Sequence, residues 1–369
     1  MPKEATCTIQ NNLLEFGKKL GFIAVTEERV HQRSVYAPIY DVVWYLDLEK
    51  HFNLSGLEEL FVNDPKLFKR ISKLPFAGFE IEGSSTTSKN QISNFANLYS
   101  GNFLFNFVVV NNCEANGEND TYRRGVKIKN YFAENSGDRN VFFLDNVHLL
   151  ESMKNLKCYD AKIEAFGNHS GDRQTFGGEK VSVEMYEQIR QYLEDTGLTI
   201  AQNYSPYLPK IQFAMLKEAR CQSVQNGFAD FFLRQAFYRE PLDQEAQRAM
   251  TATSSFYIPR LDVVLGFNAP KCFVEWLKTI AVALKNDCAH YPILYGLANK
   301  KVIDKSLFIA LISIEIESSI NKHLNGGIYN MSKNSYAGIL VTKESAKSHL
   351  EFFKGELGIK NITTYSLEG

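Results

Sequence analysis

Several absences narrow the chemistry open to this chain of 369 residues. The cysteines, at 7, 113, 158, 221, 272 and 288, include no CxxC pair, and none clusters with histidine as a zinc site requires. Free thiols in a reducing compartment are the expectation. The histidines, at 31, 51, 148, 169, 290, 323 and 349, show no metal-ligand spacing, and no His/Asp arrangement supports a serine hydrolase. No GxxxxGK[ST] loop is present to cradle a nucleoside triphosphate. No apolar run approaches the roughly 18 residues of a membrane span. The opening Met-Pro-Lys-Glu-Ala has no apolar signal core. A cytoplasmic protein without membrane contact is expected. Strong net charge is also missing: the formal value of −1 argues against indiscriminate coating of nucleic acid, while leaving room for a local basic cleft.

What is present suits a globular α/β protein of about two domains. Hydrophobic residues make up 44% of the chain and aromatics 13%, enough for two sizeable cores. Ile9, Leu13, Phe16 and Leu20 form one stripe, predicting a helix over 8–22 that Gly21 ends. A charged link follows, then a strand over 35–46, helical segments over 49–73 and a strand over 76–82. A polar helix (86–99), a strand (103–110), a helix (122–135) and a strand (140–144) complete the first part. Residues 146–204 show no counterpart elsewhere; they include a Gly-rich polar loop and an amphipathic helix over 182–196. Residues 205–250 read as helical, with apolar side chains from Phe228 to Phe237. Beyond them lie a strand around Asp262, a helix (272–286), a strand (307–317), a polar segment (318–335), a strand (337–342), a helix (344–356) and a strand (361–366).

One short pattern occurs twice. Phe79-Glu80-Ile81-Glu82-Gly83-Ser84-Ser85 returns as Ile314-Glu315-Ile316-Glu317-Ser318-Ser319, and Tyr36-x-Pro38-x-x-Asp41-Val42-Val43 returns as Tyr257-x-Pro259-x-x-Asp262-Val263-Val264. Asp41 to Asp262 is an offset of 221, shared by Phe132 to Phe353 and Asn140 to Asn361; Glu80 to Glu315 is an offset of 235. Landmarks kept in one order predict a duplicated core, with a period far above the 20–50 residues of solenoid repeats. The expected division is core 1 over 1–150, an inserted linker or DNA-contact region over 151–204, and core 2 over 205–369.

The repeated residues are carboxylates. Strand side chains alternate, so Glu80 and Glu82 share a face while Phe79 and Ile81 point to a core. Asp41 stands inside an apolar strand, where a carboxylate is costly without a partner or metal. The plainer reading of Glu80 and Glu82 is the solvent face of an edge strand, and of the serines after them, turn or helix-cap residues. Asp41 and the second copy favour a hard-cation site: oxygen ligands suit Mg²⁺ or Mn²⁺, and three such anions would otherwise repel.

The order helix, Pro-x-x-Asp strand, Glu-x-Glu strand, helix, strand resembles the catalytic core of the PD-(D/E)XK nuclease superfamily, which includes most type II restriction endonucleases. The resemblance covers roughly 130 residues of each half. It implies two restriction-endonuclease-like cores, each a mixed central sheet flanked by helices, joined in one pseudo-dimeric chain. It implies that Asp41 and Glu80, with Asp262 and Glu315, hold Mg²⁺ (or Mn²⁺), and that Glu82 and Glu317 orient or deprotonate the attacking water. This family usually ends its motif in lysine. Here Glu82 and Glu317 take that place, and either they do the work or Lys89 and Lys322 substitute. The implied partner is double-stranded DNA cut at a specific, asymmetric site, with a cognate methyltransferase in the same system. The chain would act as a monomer or as a homodimer.

Outside the carboxylates, Asn168, Arg173 and Gln174 of the Gly-rich loop have the chemistry for base contacts. Arg123, Arg124 and Lys127 are candidates for phosphate contacts, against the plainer readings of a loop and a solvated helix face. The alternative to an endonuclease is a non-catalytic DNA-binding or scaffold protein on the same fold; a nuclease for RNA or for modified or branched DNA is a third reading.

Overall fold

A computed structural model describes residues 4–30, 37–111, 120–136, 141–156, 180–204, 261–283, 308–319, 322–343 and 347–367. It is α/β, with two five-stranded mixed sheets flanked by helices. In the first half α1 (Glu4–Lys19) leads into β1 (Ile23–Glu28) and β2 (Tyr40–Asp47). A 3₁₀ turn (Leu48–Lys50), α2 (Ser55–Leu60) and α3 (Pro65–Ser72) connect to β3 (Lys73–Glu82). Then come α4 (Ser88–Gly101), β4 (Phe105–Val110), α5 (Asp120–Ser136), β5 (Val141–Asp145) and α6 (Asn146–Lys154). The second half runs α7 (Lys180–Glu194), β6 (Thr199–Tyr204), β7 (Leu261–Asn268), α8 (Lys271–Ala283), β8 (Phe308–Glu317), α9 (Lys322–Asn334), β9 (Ala337–Thr342), α10 (Lys347–Leu357) and β10 (Ile362–Ser366).

The sheets repeat each other pair by pair. Each begins with three antiparallel strands and finishes with two parallel ones, in spatial order β1-β2-β3-β4-β5 and β6-β7-β8-β9-β10. Val25 pairs with Val43 as Ala201 pairs with Val264, and Val42 pairs with Phe79 as Val263 pairs with Ile314. Even the irregularity recurs: the register slips between Trp44 and Tyr45 in one half and between Leu265 and Gly266 in the other. A bulge re-aims the strand that carries it, and here it lies a few residues from each aspartate.

This register corrects the expected boundaries. Residues 180–204, read as part of an inserted linker, are the counterpart of α1 and β1, so the second unit begins before residue 205. Gly21 and Gly197, both in the left-handed region, end the two helices at matching positions. The match is hidden because about a dozen residues separate β1 from β2, whereas a far longer segment separates β6 from β7. β1 itself, read as a charged link, is an edge strand whose Thr26 and Glu27 are exposed, as edge-strand residues often are. α9 lies inside the stretch read as a polar segment; among its described side chains the buried apolar stripe is Leu324, Ile328 and Met331. The segment expected to be helical at 205–250 lies outside the described residues, as do 157–179.

The inner faces of both sheets, with α1, α6, α7 and α8, share one apolar cluster. The outer faces are covered by α4 and α5 in the first half and by α9 and α10 in the second. The halves grip each other reciprocally. α8, which connects β7 to β8, packs against the first sheet. Its Phe273 meets Phe22, Phe76 and Phe105, and its fully buried Trp276 meets Phe16, Trp44 and Phe107. Trp276 Nε1 donates to Ser152 Oγ of α6 at 3.0 Å. In return the β2–β3 connection reaches the second half: Phe52 packs on Phe267, Asn53 N donates to Thr196 O at 3.1 Å, and Asn63 Nδ2 donates to Thr364 O at 2.9 Å. Such an exchange of equivalent segments is the signature of an isologous contact, here made inside one chain.

Because Trp276 fills the first half's core from the second half's helix, Trp276→Ala is expected to cost about 3–5 kcal/mol and to lower both halves in one unfolding transition. Denaturant unfolding followed by circular dichroism checks this. Two separate transitions, with the first half unmoved, would contradict it.

Candidate functional site

The site in each half begins where backbone pairing between the second and third strands stops. The last registered pair is Val42 with Phe79. One step further the Asp41 side chain takes over the role of a strand acceptor: its Oδ2 accepts from Ile81 N at 2.6 Å. Its other oxygen accepts from Gln10 Nε2 of α1 at 3.1 Å. A buried backbone amide needs an acceptor, and supplying one from a carboxylate holds that carboxylate between the two glutamates of β3. The second half repeats the device. Pairing ends at Val263 with Ile314, and Asp262 Oδ2 accepts from Ile316 N at 3.0 Å.

Glu80 then lies within hydrogen-bonding reach of Asp41 and of Asn97 on α4. It is only 5% exposed, and its Oε1 has no hydrogen-bond partner among the described residues. Burial, and next the charge of Asp41, push its carboxyl well above the usual range. Asp41 is also raised, by burial, against the lowering effect of the Ile81 amide and Gln10. Glu315 is the mirror case: it is 7% exposed with an unpartnered Oε1, and burial followed by Asp262 and Glu317 pushes it well up. An orphaned, buried carboxylate oxygen in both copies is the kind of exception that asks for a missing partner.

Glu82 is built differently from Glu80. It is 1% exposed, and both its oxygens are held by α4: Gln91 Nε2 donates to Oε2 at 2.6 Å and Asn94 Nδ2 to Oε1 at 3.3 Å. Gln91 in turn donates to Thr121 O at 2.9 Å and accepts from Arg124 Nε at 2.6 Å, and Arg124 also donates to Thr86 O. Burial raises the Glu82 carboxyl to about 7, opposed by the two amides and the Arg124 charge.

Several expected roles shift accordingly. The cation beside Glu82 is Arg124, not Lys89, which is exposed on α4. Arg124 therefore turns inward, away from the phosphate contact expected of it, while Arg123 and Lys127 remain exposed on α5. Lys322 opens α9 at the position matching Lys89; its side chain is outside the described set, as are Asn168, Arg173 and Gln174. Gln10, Gln91, Asn94 and Asn97 were not singled out from sequence. Gln91 carried a readable signal: it lies in line with Phe95 and Leu98 on the apolar stripe of α4, where a polar side chain needs a partner.

No group of three or more His, Cys, Asp or Glu side chains that could hold a metal ion occurs among the described residues. The carboxylates thus form pairs, Asp41 with Glu80 and Asp262 with Glu315, rather than closed cages. A pair of hard oxygen donors still fits Mg²⁺, which keeps several waters and often takes only one or two carboxylates from the protein. No helix among the described residues is long and apolar enough to cross a membrane. No family model, curated protein or solved structure matches this chain.

Glu82 has a folded value near 7 against an ordinary 4.5. Its stabilising contribution is therefore complete below pH 4.5 and disappears as pH rises through about 7. Glu82→Gln cannot ionise, so in metal-free buffer its stability relative to wild type is expected to increase between pH 5 and pH 8, by at most on the order of 3 kcal/mol. Urea midpoints measured across that range check this; a difference that stays flat or falls would contradict it.

Proposed function

We propose that this protein is a Mg²⁺-dependent DNA endonuclease of the restriction type, with two PD-(D/E)XK-like cores in one chain. The observation that carries the reading is the repeated site. In both halves an aspartate accepts the amide lying between two glutamates, at the same register position, and leaves a buried carboxylate oxygen unpartnered. The mixed sheet flanked by helices in each half agrees with the fold the resemblance implies.

In this reading Asp41 with Glu80, and Asp262 with Glu315, hold the ion. When bound, Mg²⁺ would polarise a phosphoryl oxygen and stabilise the leaving oxygen. Glu82 and Glu317 orient the attacking water or take its proton, a task suited to a carboxyl raised toward neutrality. Arg123, Lys127 and Lys89 supply exposed positive charge near the first site for phosphate contacts. The two cores differ in sequence, so the target site need not be palindromic.

The test is cleavage of supercoiled plasmid in Mg²⁺. Wild type is expected to give linear product. Asp41→Ala/Glu80→Ala and Asp262→Ala/Glu315→Ala should each stop at the nicked circle. Combining all four substitutions should slow cutting about a hundredfold or more, since a metal contributes several kcal/mol. No cutting by wild type, on plasmids with and without base modification, would support the non-catalytic DNA-binding reading instead.

A further inference from the structure

Glu82 is held by a relay of side chains that ends on a different helix. Gln91 of α4 is fully buried, and its carboxamide is used completely. The two Nε2 hydrogens go to Glu82 Oε2 at 2.6 Å and to Thr121 O at 2.9 Å, and Oε1 accepts from Arg124 Nε at 2.6 Å. A carboxamide can turn over, which exchanges its donor end for its acceptor end. Turned over here, Gln91 would set its oxygen against the Glu82 carboxylate and the Thr121 carbonyl, and its NH₂ against a guanidinium. None of those contacts is a hydrogen bond, because arginine has no acceptor and neither a carbonyl nor an ionised carboxylate has a donor. Arg124 and Thr121 O therefore decide which end of Gln91 the carboxylate meets.

Arg124 is fixed in turn. It donates to Thr86 O in the turn between β3 and α4, where Thr121 Oγ1 also donates to Ser84 O at 2.5 Å. The start of α5 thus clamps both the turn that follows Glu82 and the amide that touches it. Asn94 Nδ2, at 3.3 Å, holds the other Glu82 oxygen from the same helix as Gln91. An ionised carboxylate has about four lone-pair sites, so two donated bonds leave it able to accept from a water.

We infer that Arg124 is a positioning residue for Glu82 and acts through Gln91. In the endonuclease reading the ion is held by Asp41 and Glu80. The relay then leaves ion binding alone and sets only where the Glu82 oxygens stand relative to the attacking water. A group of this kind changes turnover rather than affinity. The effect on rate rests on the endonuclease reading; the hold on Glu82 does not.

The test uses the first core alone, with Asp262→Ala/Glu315→Ala in place. Gln91→Met keeps the side-chain volume and leaves both clamps on the β3–α4 turn, so it breaks the relay without undoing the helix contacts. In this background Gln91→Met and Arg124→Met are each expected to lower the turnover of plasmid nicking about tenfold or more, with KM for plasmid and for Mg²⁺ held within about twofold. Arg124→Lys, which can still donate to Gln91 Oε1, should recover part of the loss. Unchanged turnover in Gln91→Met, a loss confined to KM, or no nicking by this first core while wild type cuts, would overturn the inference. Urea unfolding at pH 8 reads the same relay without DNA. Arg124→Met is expected to lower the midpoint more in wild type than in Glu82→Gln, and Gln91→Met should shrink that difference by about half or more. Equal losses in wild type and Glu82→Gln, or a difference that Gln91→Met leaves intact, would count against the inference just as firmly. The expected midpoint differences in a protein that cuts no DNA would keep Arg124 as the residue that holds Glu82 and remove the endonuclease reading.

Discussion

A hydrogen bond from a backbone amide to an aspartate, made once in each half, governs the geometry of everything around it. Ile81 N and Ile316 N lie just past the end of regular pairing, where a strand amide would otherwise be left buried without an acceptor. The aspartate of the neighbouring strand fills that role. It can do so only from one register position, so the amide fixes where the aspartate stands and which glutamates flank it. Both flanking glutamates must point to the outer face, because the intervening isoleucine is committed to the core. The carboxylates are thus brought together by the strand pattern, against their mutual repulsion and the cost of burial. The raised Glu80 and Glu315 carboxyls are the mark of that conflict. A divalent cation is the simplest partner that resolves it.

The shared core keeps two such sites in one rigid relation. Neither half completes its own interior: Trp276 and Phe273 of the second half pack among the aromatic rings of the first, while the β2–β3 connection reaches back to Phe267, Thr196 and Thr364. This is how a symmetric dimer would be joined, and fusion into one chain removes the requirement that its halves stay identical. Residues inside the strand ladder have kept their match, including the bulge beside each aspartate. Some positions on the covering helices differ: the burial pattern of α4 from 91 to 99 recurs along α9 from 324 to 332, with Leu324 and Gly327 in the places of Gln91 and Asn94, while Asn97 matches Asn330. The ladder tolerates little change, since a one-residue slip would turn every carboxylate to the wrong face. Helix positions over the site are free to set how each carboxylate is held.

Much of this was legible in the linear chain. The Asp, the Glu-x-Glu strand and their second copy were visible because strand alternation and a repeated order need no knowledge of long-range contacts. The central strands were placed closely for the same reason; 337–342 coincides with β9. Edge strand β1, with its exposed Thr26 and Glu27, carried no strong strand signal, and the long interval after β6 concealed that α7 and β6 belong to the second sheet. The environment of Glu82 was out of reach of sequence. Gln91, Asn94 and Arg124 come from two helices, α4 and α5, whose approach to β3 is decided by packing, and Arg124 looked like any surface cation until its partners were known.

Locating Mn²⁺ by anomalous scattering in crystals of the whole chain tests the central claim most directly. The account predicts two peaks, one touching Asp41 and Glu80 and one touching Asp262 and Glu315, with the orphaned oxygens of Glu80 and Glu315 among the ligands. Peaks elsewhere, or none at millimolar Mn²⁺ with the carboxylates still paired to one another, would contradict it.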